Sequence, residues 1–247
     1  MRVEALRDPD VDPDAALYAE LMTGDAGPGI GFAPPSASED RAFDAAVRDG
    51  LDLMGRASPA LWGEFHGLVR HVLSVRNRPG AGMHFDGGSH YQLWGALFLS
   101  VRPDITPDAM VEVLAHESAH SLLFGLCIDE ALVENPDDEL YPSPLRVDPR
   151  PMDGIYHATF VSARMHWAMS CLLASGLLDA DAVLRVTRAR DADRTHFLAG
   201  HAVVARHGRL TPTGSALMDA ALAYMRTADA RRSGRPLDDR AADHRGP

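Results

Sequence analysis

The sequence predicts a mainly α (α+β) fold, in which a single helical domain carries a small β-sheet. Most of its apolar segments are long, and two of them begin with a Ser or Thr followed by Pro, the usual signal of a helix N-terminus. One segment, 91–101, is instead short and rich in aromatic residues, as a half-buried strand is. Hydrophobic residues make up 46% of the 247 residues, enough for a sizeable core.

The elements follow the chain in a simple order. Residues 1–35 are predicted to form an N-terminal arm with a short helix at 13–22, residues 36–230 the main domain, and residues 231–247 a disordered polar tail. Ser38 and Ser58 are expected to cap the first two helices of the domain. Its helices are predicted at 38–54, 59–75, 107–124, 155–178, 179–207 and 213–228. Residues 129–154 are rich in Pro, Asp and Glu, which predicts a long functional or disordered loop.

Composition limits the functional classes. The net charge of −11 is unsuited to binding nucleic acid, because neutralising phosphates needs a basic surface. The sequence has no apolar run long enough to cross a membrane and no secretory signal, so we expect no membrane partner and a cytoplasmic location. Cys127 and Cys171 are not spaced as a metal pair and are expected to be buried free thiols.

The stretch VLAHESAHSLLFG, residues 113–125, contains the pattern His-Glu-x-x-His. His116 and His120 are four residues apart, so a helix places both imidazoles on one face, where they can bind one metal ion. Neutral imidazole suits zinc or iron(II). Glu117 points elsewhere on the helix, either as the general base of a hydrolase or as a residue that orients a ligand or a water molecule.

A third ligand must come from further along the chain. A compact peptidase pattern would place a histidine at position 126, which is Leu126. His157 is the better candidate, because it begins an apolar helix where an unpaired imidazole would be costly. The open alternative is a carboxylate of the preceding loop: Asp129, Glu130 or Glu134.

Three arginines near these residues indicate a possible anion site. Arg146 and Arg150 lie between prolines shortly before His157, and Arg164 lies two helical turns after it. Arginine binds carboxylates in a bidentate manner, so these side chains are candidates for holding the distal carboxylate of 2-oxoglutarate. The alternative is that Arg146 and Arg150 pair with nearby acidic residues and that Arg164 closes a buried ion pair. With the predicted metal site, residues 36–230 are expected to form a metal-dependent catalytic domain.

LAHESAHSLLF followed by YPSPLRVDPRPMDGIYHATFVSAR resembles the HExxH-type 2-oxoglutarate-dependent β-hydroxylases associated with ribosomally made peptides. The resemblance implies a zincin-like HExxH helix reused for oxygen chemistry, with iron(II) bound by His116, His120 and His157. It also implies 2-oxoglutarate held by Arg150, with Arg146 as a further candidate. The implied substrate is a residue of a peptide or a free amino acid, and the residue that the family leads us to expect is Asp. Three histidines depart from the usual arrangement of two histidines and one carboxylate.

Two other functions remain open. A zinc metallopeptidase would use the same histidine pair with Glu117 as the base. A non-catalytic peptide-binding protein would keep the metal for structure alone.

Overall fold

The computed structural model describes residues 1–26, 31–80, 84–144 and 148–233. It is 62% helix with a small mixed sheet, which confirms the predicted mainly helical α+β class. The helices of the described residues are α1 (Pro13–Ala26), α2 (Ala37–Ala57), α3 (Pro59–Leu68), α4 (Pro107–Leu126), α5 (Met152–Ala174), α6 (Ala180–His207) and α7 (Pro212–Ser233). The strands are β1 (Arg2–Ala5), β2 (Phe32–Ala33), β3 (His71–Asn77), β4 (Gly87–Ser89), β5 (Ala96–Ser100), β6 (Leu140–Tyr141) and β7 (Arg150–Pro151).

The chain divides into two compact units. Unit 1 consists of Met1–Asp129 and Arg164–Thr195, and unit 2 consists of Glu130–Ala163 and His196–Pro247. The predicted domain boundaries near residues 35 and 230 stay a prediction. Of the predicted disordered tail, residues 231–233 belong to α7 and residues 234–247 lie outside the described residues.

The mixed sheet of unit 1 has the strand order β1-β3-β5-β4. β1 and β3, like β3 and β5, run parallel, whereas β4 is antiparallel to β5 and β2 is antiparallel to β3. Val72 and Leu97 on one face belong to a hydrophobic cluster with residues of α2, α3 and α4. Leu73 and Phe98 on the other face belong to a cluster with residues of α1 and β2. The two central strands are therefore covered on both faces.

This double burial explains the main error of the sequence prediction. The helix predicted to run to Val75 ends at Leu68, and β3 follows it. A strand buried on both faces carries a continuous apolar run and no alternation, so its pattern resembles the continuation of a helix. The helix begins as predicted, with Ser58 Oγ accepting a hydrogen bond from the backbone N–H of Leu61.

Two further boundaries differ from the prediction. The cap of α2 is Ser36 rather than Ser38: Ser36 Oγ accepts from Glu39 N–H, and the Glu39 carboxylate accepts from Ser36 N–H. This capping box is the Ser-x-x-Glu pattern. In 91–101, residues 91–93 form a short 3-10 turn, and the strand begins only after Gly95, whose φ of 92° favours glycine.

In unit 2, the chain after Glu130 is tied to the turn between α6 and α7. Asn135 Oδ1 accepts from Arg209 N–H, and its Nδ2 donates to the His207 carbonyl. Tyr156 is fully buried, and its hydroxyl donates to the carbonyl of Gly214. The predicted loop at 129–154 thus contains fixed segments, including the two-stranded pair of β6 and β7.

Across the described residues, every helix is too short or too polar to span a lipid bilayer.

Candidate metal centre

The predicted motif lies on α4, which begins at Pro107 as expected and extends to Leu126. One side of α4 packs in the core of unit 1 through residues such as Val111 and Leu114. His116 and His120 are half-buried, and their ring centroids lie 5.2 Å apart with an interplanar angle of 62°. The helix therefore brings two imidazoles together, which is the donor chemistry that zinc or iron(II) requires.

Glu117 points into the protein and is only 5% exposed. Burial raises the pKa of its carboxyl group to about 8, although the hydroxyl of Ser89 on β4 opposes the shift. That hydroxyl is itself buried, and it has no partner within hydrogen-bonding geometry among the described residues. Near neutral pH the metal-free protein thus holds Glu117 mainly in its protonated form.

The backbone of β4 makes room for this carboxyl group. A Cβ atom at Gly87 would lie 3.0 Å from Glu117 Oε1 and 3.0 Å from Leu99 Cδ2. Since both distances are tighter than ordinary van der Waals contact, the glycine allows Glu117 to lie against the strand. Glu117 Oε1 is also 3.9 Å from His116 Nε2.

The other ring nitrogen of His116 faces a different group. Its Nδ1 lies 3.1 Å from the Sδ atom of Met165, in the part of α5 that belongs to unit 1. Sequence reasoning missed Met165, because a methionine in an apolar helix gives no signal beyond core packing.

Arg164, a predicted 2-oxoglutarate ligand, has local partners in unit 1. Its guanidinium forms a short ion pair with the carboxylate of Glu64 on α3, and it lies 4.4 Å from the centroid of the Trp167 ring. An ion pair of this kind is the alternative that the sequence left open to a role of Arg164 in binding an anion. A role for Arg164 in binding 2-oxoglutarate stays a prediction.

His157, the predicted third ligand, belongs to unit 2 and lies in the first turns of α5. Burial lowers the pKa of its imidazole, while the nearby carboxylate of Asp153, 3.7 Å from Nε2, opposes this effect. Burial thus favours the neutral imidazole, the form that binds a metal ion.

Arg150 is in β7 and also belongs to unit 2. Its Nη2 lies 3.5 Å from the exposed carboxylate of Asp148, an interaction that solvent weakens. Arg146 lies outside the described residues.

Of the carboxylates considered as a third ligand, Glu130 has a structural role in unit 2. Its Oε2 accepts a hydrogen bond from the backbone N–H of Thr213 in the first turn of α7. Hydrogen bonds from the Thr213 side chain and from its backbone N–H lower the pKa of Glu130.

A second group of acids, not predicted from the sequence, lies on α4 and α6 of unit 1. Asp193 is 4% exposed, and its Oδ2 has no hydrogen-bonding partner among the described residues. Burial, with a contribution from the charge of Glu112, raises the pKa of Asp193 to about 8. Burial also raises the pKa of Glu112. Asp193 lies in a polar stretch of sequence that resembles a solvent-exposed helix face, whereas Glu112 lies between two valines in the sequence of α4.

The structure therefore brings together His116, Glu117 and His120 on one helix. Within the described residues, no group of three or more His, Cys, Asp or Glu side chains is arranged to hold a metal ion. The set of three ligands stays a prediction.

Comparison with protein-family models finds no model that matches the chain. Comparison with curated proteins likewise finds no match. The resemblance to the HExxH-type β-hydroxylases thus stays an expectation based on the motifs.

Proposed function

We propose that this protein is an iron(II)- and 2-oxoglutarate-dependent oxygenase that hydroxylates the β-carbon of an amino-acid residue in a ribosomally made peptide. The observation that carries the proposal is the pair of imidazoles at His116 and His120, beside a carboxyl group that burial keeps protonated. In the metal-free protein, burial raises the pKa of Glu117 to about 8, and a carboxyl group acts as a general base only when it is ionised.

In the proposed enzyme, His116 and His120 bind iron(II), with His157 assigned from the sequence as the third ligand. Arg150 holds the distal carboxylate of 2-oxoglutarate, since its partner Asp148 is exposed and easily replaced by a dicarboxylate. Arg146 and Arg164 are secondary candidates for this role. The bound iron would supply oxidation by dioxygen: one oxygen atom enters the substrate C–H bond, and the other enters the succinate formed with carbon dioxide from 2-oxoglutarate.

A zinc metallopeptidase is the second candidate, and the position of Glu117 favours it. The 3.9 Å separation between Glu117 Oε1 and His116 Nε2 would place this carboxyl group near a metal on His116. A bound cation lowers the pKa of a neighbouring acid, which would restore Glu117 as a base.

We also propose that the protein acts in the cytoplasm on a peptide or an amino acid. Cys127 and Cys171 are half-buried rather than fully buried as expected, and among the described residues they form no disulfide, as is usual in a reducing compartment. The net charge of −11 favours a neutral or basic peptide and makes nucleic acid an unsuitable partner.

The proposal is tested with the metal-free protein under anaerobic conditions. Addition of iron(II) and then 2-oxoglutarate is expected to produce a weak visible charge-transfer band. Admission of oxygen should then release carbon dioxide from the C1 position of 2-oxoglutarate, even before a peptide substrate is known. With candidate precursor peptides, mass spectrometry should detect the gain of one oxygen atom, derived from labelled dioxygen.

Two matched pairs of variants assign the residues. His116→Ala should abolish the band, whereas His84→Ala should retain it, because His84 is a histidine with an exposed side chain. Arg150→Ala should keep bound iron but lose the band, whereas Arg48→Ala, at an exposed ion pair with Asp44, should behave as wild type. If no band forms and the zinc-loaded protein cleaves peptides, the peptidase is correct and the oxygenase is wrong.

A further inference from the structure

The two ring nitrogens of His116 face chemically different groups. Nδ1 lies 3.1 Å from the thioether sulfur of Met165. Nε2 lies on the side of Glu117, 3.9 Å from its Oε1. All three residues belong to unit 1.

The contact with sulfur determines where the imidazole proton must be. A thioether sulfur accepts hydrogen bonds but has no proton to donate. At 3.1 Å the contact is attractive only if Nδ1 carries the hydrogen, because two lone pairs would otherwise face each other. A neutral imidazole has one ring proton, so Nε2 then carries the lone pair. In water the neutral ring prefers the opposite tautomer, with the proton on Nε2.

We propose that Met165 is a positioning residue: its sulfur accepts the Nδ1–H of His116 and thereby makes Nε2 the metal-binding nitrogen. The consequence for metal binding rests on the proposed function. Metal-bound histidines usually donate their second N–H to a carboxylate, a backbone carbonyl or water. In this protein the acceptor is the thioether sulfur of Met165, which is uncharged and accepts more weakly. It therefore orients the ring of His116 while adding little to the basicity of the imidazole.

The neighbours of Met165 fix its position on α5. The preceding residue, Arg164, is held by Glu64 and by the ring of Trp167. One turn further on, Met169 is completely buried in the main hydrophobic cluster of unit 1. Because the contacts of Arg164 and Met169 fix α5 before and after Met165, its sulfur stays against the imidazole of His116.

The tautomer of His116 is measured directly by long-range ¹H–¹⁵N NMR on metal-free protein with ¹⁵N-labelled histidine, at a pH of about 8.5, where imidazole is neutral. The His116→Ala variant assigns the signals. In wild type we expect the proton on Nδ1. Met165→Leu, which preserves volume but removes the acceptor, should move most of the population to the tautomer with the proton on Nε2.

Two controls separate this effect from general disturbance of α5. Met165→Gln supplies an amide oxygen as acceptor and should restore the Nδ1–H tautomer. Met169→Leu is the same substitution one turn away and should leave His116 unchanged. A proton on Nε2 in wild type, or an unchanged tautomer in Met165→Leu, would overturn the inference.

A second readout uses zinc(II), which is redox-inert, in competition with a chelator. Met165→Leu should bind zinc about tenfold more weakly than wild type, and Met165→Gln should recover the loss. Equal affinity in wild type and Met165→Leu would contradict the positioning role. If wild type binds neither zinc nor iron(II), the proposed function fails, and the NMR measurement alone still decides whether Met165 sets the tautomer.

Discussion

Asp193 provides a direct test of the buried acids, through the variant Asp193→Asn. The pKa of this carboxyl group rises from an ordinary 3.8 to about 8, since it is buried with an Oδ2 atom that has no hydrogen-bonding partner among the described residues. Between these values the folded protein holds a proton that the unfolded chain has released. The free energy of unfolding therefore falls as pH rises from about 4 to about 8 and is insensitive to this group outside that range.

The size of the effect follows from the pKa difference. Each pKa unit corresponds to about 1.4 kcal/mol, so the Asp193 carboxyl lowers the free energy of unfolding by on the order of 5 kcal/mol between pH 4 and pH 8. This is an upper bound, because local opening that hydrates the carboxylate reduces it. Asparagine resembles the protonated acid in shape but cannot ionise. Asp193→Asn should therefore match wild type near pH 4 and be more stable by several kcal/mol at pH 8.

Urea denaturation followed by circular dichroism at pH 5, 6, 7 and 8 measures the difference. A constant m-value between the two proteins shows that the same surface unfolds in both. The exposed Asp52 supplies the control: Asp52→Asn should change stability by less than about 0.5 kcal/mol at every pH. If the stabilities of wild type and Asp193→Asn run parallel across this range, the carboxyl group is hydrated in the native state and the reasoning is wrong.

Three further substitutions probe the support of α4 and the core of unit 2. Gly87→Ala places a methyl group 3.0 Å from the carboxyl of Glu117 and should lower the free energy of unfolding, measured by urea denaturation, by about 1–3 kcal/mol. An unchanged free energy of unfolding would show that β4 shifts at no cost to accommodate the methyl group. Tyr156→Phe leaves the carbonyl of Gly214 without its hydrogen-bond donor and should lower the free energy of unfolding by about 1–3 kcal/mol. If stability does not change, a water molecule replaces the hydroxyl and the expectation is wrong. Leu114→Ala should cost about 2–5 kcal/mol, whereas the exposed Leu126→Ala should cost far less; equal losses would contradict the packing of α4.

Local signals predicted the elements that depend on local interactions. The starts of α3 and α4 follow from Ser58-Pro59 and Thr106-Pro107, because the cap and the first-turn proline act within a few residues. The strand β3 was missed, because its continuous apolar run arises from partners that cover it on both faces. Those partners are distant in sequence, so periodicity alone could not distinguish the strand from a helix.

The candidate site likewise combines features that the sequence predicted with features that depend on tertiary contacts. The spacing of His116 and His120 was sufficient to place both imidazoles on one helix face, since helical geometry repeats every 3.6 residues. The raised pKa of Glu117 was not predictable, because it depends on burial against β4. The contact of Met165 with His116 was equally hidden, because it joins two helices across a long stretch of chain.

By itself, then, the sequence determined the helix that carries the histidine pair and the acidic, mainly helical character of the chain. Only the tertiary structure decided which atoms face the two nitrogens of His116, which arginine is held in a tight ion pair, and which carboxyl groups are kept protonated. Backbone geometry acts over a few residues and can be read from spacing. Desolvation and tautomer choice depend on groups that only folding brings into contact.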